Sequence, residues 1–317
     1  MRAVAKAPGK IILFGEHAVV FGKPALAMAV NCQARVEIRR VEEEHIQITV
    51  PSLDVTGTIK GDGVLECSGT GKQGILNYTL QSIQLAELEG GLEVHVELEI
   101  PIGAGMGSSA AVTVATLAAL AKLEGQALDR GLLAQQAHQV EQLVQGAASP
   151  LDTAVSAYGG LVHLNRDGEV ENLEVPGPLP LVVACTSSRG NTGELVAGVR
   201  RKRSHYPGVV DPILEAMEQI TIQARKALMD GEKEVVGGLM NINHGLLDAL
   251  GVNTMELSTM AYQARAAGAL GSKITGAGGG GAIIAYAPEH FDAVLSKLRE
   301  EEEAFPVELS IVGVELE

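Results

Sequence analysis

The sequence predicts an α+β fold made of two lobes with a cleft between them. Strand patterns dominate the first hundred residues, and long helical patterns dominate the second half of the 317-residue chain. Between them lies a turn-rich stretch, residues 165–180, that ends in three closely spaced prolines. We therefore expect an N-terminal domain over residues 1–175 and a C-terminal domain over residues 176–317.

The N-terminal domain is predicted from period-two alternation and from apolar helical runs. Every second residue from Leu92 to Ile100 is apolar, which is typical of a half-buried strand. Residues 110–123 are rich in Ala, Leu and Val without Gly or Pro, which predicts a buried helix. The predicted strands are residues 11–14, 35–41, 45–50, 92–100 and 159–164, the predicted helices are residues 110–123 and 130–145, and residues 51–75 are expected to form a loop or hairpin.

The C-terminal domain is predicted to begin with a strand and to continue with long helices. A final helix and strand should close the chain, with an acidic run as the solvated end of that helix. The predicted strands are residues 181–186, 282–287 and 307–315, and the predicted helices are residues 209–230, 232–250, 254–268 and 290–302.

The composition argues against several classes of function. A formal net charge of −15 disfavours nucleic acid and anionic membranes as partners. No apolar run is long enough to span a membrane, and no secretory signal pattern opens the chain. Cys32, Cys67 and Cys185 have neither metal nor redox spacing, so we expect reduced thiols and a cytoplasmic location. The oligomeric state is left open, with a homodimer as the working expectation.

A glycine-rich loop follows the strand predicted at residues 92–100. It reads Pro-Ile-Gly-Ala-Gly-Met-Gly-Ser-Ser over residues 101–109. A capped strand-to-helix turn is the simpler interpretation, but three alternating glycines exceed what a turn requires. With Ser108 as the helix N-cap, the unpaired N–H groups and the positive end of the helix dipole would face a phosphate. The loop matches neither a Walker A sequence nor a dinucleotide fingerprint.

Two further segments combine unusual residues with predicted strands. Lys10 leads into the first strand, and Glu16 and His17 leave it; taken alone, these would be a solvated lysine and a surface turn. Residues 276–281 contain five glycines in six positions, between a predicted helix and a predicted strand. Because ordering so many glycines is unfavourable, we expect a close approach to a ligand or to the first glycine loop rather than a linker.

Two carboxylates beyond the first glycine loop are candidates for chemistry. Glu141 flanks the apolar stripe of the predicted helix at residues 130–145, where it either reaches the solvent edge or faces a polar cavity. Asp152 opens a segment of small residues eleven positions later, where it is either a helix N-cap or a functional group. The pattern leaves both alternatives open.

Taken in chain order, the segment around Lys10, the loop at residues 101–109 and the glycines at residues 276–281 resemble the motifs of the GHMP kinases, the family named after galactokinase, homoserine kinase, mevalonate kinase and phosphomevalonate kinase. The resemblance extends over residues 8–282 and implies an N-terminal lobe with a left-handed βαβ crossover, a ferredoxin-like C-terminal lobe and an active site in the cleft. It implies ATP as co-substrate and Mg²⁺ as the metal. The sequence His-Ala-Val-Val from His17, without the Thr-Asp typical of a galactokinase, favours mevalonate as the small-molecule substrate, phosphorylated on its primary hydroxyl early in isoprenoid biosynthesis.

The resemblance also implies which residues hold the nucleotide and the metal. The residues that would bind the nucleotide are Pro101, Gly103, Ala104, Gly105, Met106, Gly107, Ser108 and Ser109. Ser109 and Glu141 would bind Mg²⁺, because oxygen atoms are its preferred ligands.

Catalysis and acceptor binding are assigned by the same resemblance. Asp152 would face the acceptor hydroxyl as a base or an electrostatic anchor, and Lys10 would pair with it and favour the developing alkoxide and the γ-phosphate. Glu16, His17 and Thr192 would line the acceptor pocket, with His17 meeting a carboxylate or a hydroxyl. Arg189 would add a positive group there.

Two alternatives remain open. Another GHMP kinase would act on phosphomevalonate, homoserine or a sugar; a phosphorylated acceptor would need extra basic residues such as the run at 200–203, for which a solvated helix face is the simpler interpretation. A non-catalytic member would bind ATP and a small molecule as a sensor, but the retained catalytic candidates favour an enzyme. Pro150 and Thr153 depart from the family pattern, which affects the detail of the loop around Asp152 and not the reaction class.

Overall fold

The described part of the chain folds around two β-sheets, which confirms the predicted α+β class. This computed structural model describes residues 1–59, 65–70, 74–88, 90–101, 103–146, 149–188 and 190–317. None of the helices in these ranges is both long and apolar enough to cross a membrane.

Strands dominate the N-terminal half, and four α-helices cover them. The strands are β1 (Arg2–Phe14), β2 (Ala25–Val41), β3 (Ile46–Val50), β4 (Val55–Ile59), β5 (Leu65–Gly69), β6 (Gly91–Leu98), β7 (Leu161–Leu164) and β8 (Val170–Leu173). The α-helices are α1 (Gly74–Leu85), α2 (Ser108–Leu123), α3 (Arg130–Gln145) and α4 (Pro150–Tyr158), and short 3₁₀ turns lie at Ala18–Phe21 and Pro51–Leu53. Because α2 is Ala-rich and buried around most of its circumference, it can pack against β1 and β2 and also against α1 and α3.

Longer helices dominate the C-terminal half. The strands are β9 (Leu181–Cys185), β10 (Gly271–Thr275), β11 (Ala282–Tyr286), β12 (Glu303–Val307) and β13 (Glu315–Leu316). The helices are α5 (Thr192–His205), α6 (Pro207–Asp230), α7 (Lys233–Ala249), α8 (Met255–Ala266) and α9 (Phe291–Leu298).

The first sheet has the order β13-β1-β2-β6-β3-β4-β5. Its pairs are antiparallel except β3 with β6, and the long strand β2 also pairs at its N-terminal end with β7, which pairs with β8. The second sheet is antiparallel with the order β10-β11-β9-β12. Its helices fall between β9 and β10 and between β11 and β12, which is the β-α-β-β-α-β order of a ferredoxin-like unit, as expected.

Apolar side chains from both halves form the cores between sheets and helices. The largest cluster includes Phe14, Ile38 and Leu92 from the first sheet, and a second cluster in the C-terminal half includes Met217 and Ile283. Burying an aliphatic or aromatic side chain of this kind contributes about 1.5–3 kcal/mol to stability.

A buried carboxylate also joins the two halves. Glu218 of α6 is 4% exposed and accepts a hydrogen bond from Lys23 Nζ at 2.8 Å. Arg166, in the turn between β7 and β8, pairs with the same carboxylate. Removing the cationic partners of such a pair is strongly destabilising, because the Glu218 carboxylate would then be buried without a compensating charge.

Some predicted elements are wrong in extent or were not foreseen. The strand predicted at residues 307–315 is absent from the described structure: β12 ends at Val307, and β13 contains only residues 315–316. Within residues 51–75, predicted as a loop or hairpin, β4 and β5 pair antiparallel, as the hairpin alternative predicts. Helix α1 has no counterpart among the predictions. Helices α4 and α5 are predicted only in part, through the N-cap alternative for Asp152 and the helix face at residues 200–203.

Candidate active site

Lys10 of β1 lies directly under the first glycine loop. Its backbone N donates to the carbonyl oxygen of Met106 at 2.9 Å, and its Nζ donates to that of Gly105 at 3.1 Å. Gly107 has φ of 71°, and a Cβ at this position would lie 2.8 Å from Lys10 Cγ. Glycine is therefore required here both for the left-handed backbone and for the passage of the lysine side chain.

The two glycine-rich segments contact each other. This confirms the predicted approach of residues 276–281 to the first glycine loop. A Cβ on Gly105 would lie 3.2 Å from the carbonyl oxygen of Thr275 and 3.6 Å from Cα of Gly276. Backbone atoms of the two halves thus meet at the glycine loop.

The start of α2 differs from the prediction. Gly107, and not Ser108, occupies the N-cap position, with a left-handed backbone and no side-chain hydrogen bond, so Ser108 and Ser109 are the first two helical residues. The first-turn N–H groups still lack intrahelical partners, so the predicted anion site does not depend on a serine cap. In the loop, Ala104 and Met106 are buried, Gly103 is exposed, and Pro101, Gly105, Gly107, Ser108 and Ser109 are half-buried.

Glu141 faces the glycine loop and not the solvent edge of α3. It is 3% exposed and accepts a hydrogen bond from Ser109 Oγ at 2.9 Å. Burial raises the pKa of Glu141 to about 8, and the nearby Asp152 charge contributes to the rise, against opposing contributions from Ser109 and Lys10.

Asp152 lies beside Lys10, with 3.0 Å between Oδ2 and Nζ. The lysine side chain is 3% exposed and the aspartate side chain 29%, so the carboxylate is the accessible member of the pair. The N-cap of α4 is Ser149, whose Oγ accepts from Leu151 N at 3.2 Å, so the N-cap interpretation of Asp152 is wrong. Asp152 lies in the first turn of α4, where the helix dipole favours a negative charge.

His17 is fixed in a rare backbone conformation at the end of β1. Its φ and ψ are 59° and −44°, and Ala18 N donates to the carbonyl oxygen of Glu16 at 2.7 Å across it. Its Nε2 lies 2.8 Å from the carbonyl oxygen of Ala277. A carbonyl can only accept, so Nε2 carries the proton and Nδ1, which has no partner among the described residues, is an acceptor when the ring is neutral.

The protonation of His17 decides what it can bind. Burial lowers its pKa, and a hydrogen bond to Ala277 and the Glu16 charge only partly oppose this. The neutral ring suits a hydroxyl donor better than a carboxylate.

Glu16 is 1% exposed and both of its carboxylate oxygens have protein donors. Lys273 Nζ pairs with Oε1, and Asn243 Nδ2 donates to Oε2 at 3.2 Å. Burial lowers the pKa of Lys273 and the Glu16 charge raises it. The geometry therefore favours a role for Glu16 in holding the loop over direct contact with an acceptor.

The remaining predicted acceptor residues lie at the start of α5. Thr192 is the first residue of this helix and is exposed, following the N-cap Asn191, whose side chain accepts from Glu194 N at 3.3 Å. Arg189 lies outside the described residues.

Sequence reasoning assigned no role to several residues around this site. Thr275 Oγ1 accepts from Ile12 N at 2.9 Å and donates to Ile12 O at 3.0 Å, at a register shift in β1. Tyr78 of α1 lies near Ser109 and Glu141; burial, with a smaller contribution from Glu141, raises its pKa. A lysine inside the small-residue strand β10 was the available signal for Lys273, whereas nothing local distinguishes Tyr78.

Ser109 and Glu141 place two oxygen-bearing side chains side by side, a donor set that could hold one hard divalent cation. No group of three or more His, Cys, Asp or Glu side chains suited to a metal occurs within the described ranges. Two protein oxygens are nevertheless typical for Mg²⁺, which keeps several waters and binds substrate phosphates.

Comparison with known proteins identifies the class. The models of the GHMP kinases N terminal domain and of the GHMP kinases C terminal match residues 73–160 and 224–304. The chain belongs to the GHMP kinase family.

Within that family, the full-length similarity is to mevalonate kinases. Mevalonate kinase of Methanothermobacter thermautotrophicus is 44% identical over 314 residues, which cover 99% of this chain and 100% of the relative. The crystal structure of L. major mevalonate kinase in complex with R-mevalonate superposes with a TM-score of 0.81 at 26% identity, covering 96% of this chain and 95% of that one. Lactococcus lactis galactokinase complexed with galactose reaches 0.80 at 22% identity, covering 99% and 95%, and shares the fold alone.

Proposed function

We propose that this chain is an ATP-dependent kinase that phosphorylates the primary hydroxyl of mevalonate, giving 5-phosphomevalonate and ADP, an early step of isoprenoid biosynthesis. The observation that carries the proposal is the Lys10–Asp152 pair, 3.0 Å apart, at the contact between the two glycine segments. A phosphate cradle and an acceptor-facing carboxylate meet at that point, as phosphoryl transfer requires.

The nucleotide phosphates bind the first glycine loop. Residues 101–109 offer backbone N–H groups with little side-chain bulk, and the N-terminus of α2 adds its partial positive charge. The buried side chains of Ala104 and Met106 anchor the loop in the core, so their contribution to the nucleotide is through the backbone.

Ser109 and Glu141 would hold the magnesium ion that accompanies the nucleotide. A bound Mg²⁺ would supply positive charge beside the phosphates, which favours transfer of the γ-phosphoryl group. Because burial raises the pKa of Glu141 to about 8, Glu141 would have to lose its proton to serve as a ligand near neutral pH.

Asp152 and Lys10 act on the acceptor hydroxyl. Asp152 orients the hydroxyl and accepts its proton late in the transfer, since a free carboxylate is too weak a base to remove it beforehand. The Lys10 ammonium lies within hydrogen-bond distance of both Asp152 and the Gly105 carbonyl, where it stabilises charge on the attacking oxygen and on the γ-phosphate.

The acceptor lies beside the end of β1. His17 Nδ1, a buried atom without a partner among the described residues, would accept a hydrogen bond from an acceptor hydroxyl. Glu16 would hold the loop, and Thr192 would border the pocket from the start of α5. Since a galactokinase shares this fold, the fold does not select the acceptor; the full-length identity to mevalonate kinases supports mevalonate.

ADP release by the purified protein tests the function. With Mg·ATP and mevalonate, phosphomevalonate, homoserine or galactose in turn, we expect turnover with mevalonate alone. Asp152→Ala should lower kcat by more than about tenfold, which corresponds to roughly 1.4 kcal/mol in the barrier. Asp167→Ala, at an exposed aspartate in the turn between β7 and β8, is the matched control.

Each other result has a definite meaning. Turnover with a different acceptor would refute mevalonate as substrate while keeping the kinase reaction. ATP binding without turnover of any acceptor would support a sensor. Asp152→Ala with activity within about tenfold of the wild type would remove that residue from catalysis.

The domain division and the cellular state complete the proposal. We place the N-terminal domain at residues 1–175 and the C-terminal domain at residues 176–317, supported by the segment without helix or strand between β8 and β9; the terminal strand β13 returns to pair with β1 in the first sheet. Unpaired thiols at Cys32 and Cys67 support a cytoplasmic location. We propose a homodimer, which sedimentation equilibrium of the purified protein tests.

A further inference from the structure

Strand β10 holds the loop that carries His17. Lys273 and Thr275 are two residues apart on β10 and so share one face of the strand. Lys273 Nζ pairs with Glu16, and Thr275 Oγ1 bonds both the N and the O of Ile12, at 2.9 and 3.0 Å. The end of β1 and the loop that follows it are thus joined to β10 at two points, although more than 250 positions separate the partners in sequence.

The backbone of His17 requires such support. Its φ of 59° and ψ of −44°, with the 2.7 Å hydrogen bond from Ala18 N to Glu16 O, make it the centre of a γ-turn that non-glycine residues rarely adopt. Glu16 precedes this turn, and its carboxylate is bound on both oxygens by Lys273 and Asn243. With the turn in this position, the ring of His17 reaches the carbonyl oxygen of Ala277, two residues after β10.

We propose that Lys273 is a positioning residue for the acceptor: through Glu16, it holds the γ-turn that presents His17 Nδ1 to an acceptor hydroxyl. This inference rests on the proposed function. Lys273 is fully buried and bonds to Glu16 and to the carbonyl oxygen of Ile274, so it acts through the loop and not on the acceptor itself.

The nucleotide side is held by a different set of contacts. Lys10 fixes the first glycine loop through Met106 and Gly105, and none of these bonds involves Lys273. Loss of Lys273 should therefore weaken acceptor binding more than ATP binding. If Lys273 only stabilised the fold, its loss would weaken acceptor binding and ATP binding to a similar extent.

Steady-state kinetics of Lys273→Met test the preference. We expect the KM for mevalonate to rise at least about tenfold while the KM for ATP stays within about threefold, since displacement of a positioning group acts on the ligand that it orients. The matched control is Ser272→Ala: this neighbouring residue is equally buried, and its Oγ donates to Ala261 O at 2.7 Å on the opposite face of β10. Equal acceptor KM values in the two variants would overturn the proposal.

A double variant and a spectroscopic readout protect the test against misfolding. If Lys273→Met does not fold, Glu16→Gln with Lys273→Met leaves no buried charge unpaired and carries the same kinetic expectation. Nitrogen-15 NMR of the imidazoles, assigned with His17→Gln, should show the Nε2–H tautomer of His17 in the wild type and a mixture of tautomers in the Lys273 variant.

The two proposals fail in different ways. A wild-type protein that does not turn over mevalonate refutes the proposed function. A wild-type protein that does, alongside a Lys273 variant with unchanged acceptor KM and unchanged His17 signals, refutes the positioning role alone.

Discussion

Replacing Glu141 with glutamine should stabilise the cation-free protein at alkaline pH. The folded-state pKa of Glu141 is about 8, raised mainly by burial, against an ordinary value of 4.5. Below about pH 4.5 the carboxyl is protonated in both states. As the pH rises from there to about 8, the unfolded chain loses the proton freely while the folded protein retains it, so the free energy of unfolding falls.

The expected size of this effect follows from the gap between the two pKa values. Each pKa unit between 4.5 and about 8 corresponds to roughly 1.4 kcal/mol, so the folded protein loses about 5 kcal/mol of stability over this range. The glutamine side chain of the variant has no proton to lose in this range and keeps an acceptor for Ser109 Oγ, so the variant should lack this loss. The advantage of Glu141→Gln should grow from about pH 5 and level off above about pH 8.

Urea unfolding at several pH values, with EDTA and without nucleotide, measures this difference. The matched control is Glu218→Gln, because hydrogen bonding to Arg166 is the largest cause that lowers the pKa of Glu218. Glu218 contributes stability above its unfolded pKa and loses it as the pH falls, so its replacement should destabilise at neutral pH. If the free energy of unfolding changes with pH in the same way for the wild type and for Glu141→Gln from pH 5 to 8.5, the reasoning is refuted.

Two further predictions concern the glycine loop and a buried histidine. Gly107→Ala should lower kcat at least about tenfold, because the added Cβ would displace the Lys10 side chain. The control is Gly125→Ala, which has a similar φ of 70° and open space around it and should cost only about 1–2 kcal/mol of stability. Equal activity of the two variants would contradict the prediction. Burial, then the charges of Arg265 and Lys273, lowers the pKa of His244 to about 4, so its contribution to stability is present above about pH 6.5 and is lost as the pH falls toward 4. His244→Asn should therefore lose less stability in urea unfolding between pH 7 and 4.5, and an unchanged acid slope would contradict it.

Much of the fold and part of the site followed from local patterns. Alternation located β6, helical runs located α2 and α3, and the order of three glycine-containing segments indicated the family. Glu141 shows where this reasoning stops: its position on the flank of an apolar stripe allowed a solvent edge or a polar cavity. In the structure, α3 packs so that the Glu141 side chain is buried against Ser109 and does not reach the solvent edge.

The errors have a common physical cause. Ser108 satisfied the residue preference for an N-cap, but the left-handed backbone at Gly107, packed on Lys10, starts α2 one position earlier. Asp152 satisfied the same preference and is displaced from the cap by Ser149. Local preference states what a residue can do, and contacts with distant segments select among those options.

By itself, the sequence determined the α+β class, the family and the residue types available for phosphoryl transfer, because periodicity and glycine spacing are properties of neighbouring residues. Only the tertiary structure decided that Lys10 pairs with Asp152, that Glu141 is buried against Ser109, and that Glu16 is held by Lys273. These pairs join residues 32 to 257 positions apart, and which partner a buried charge meets depends on how the two sheets and their helices pack.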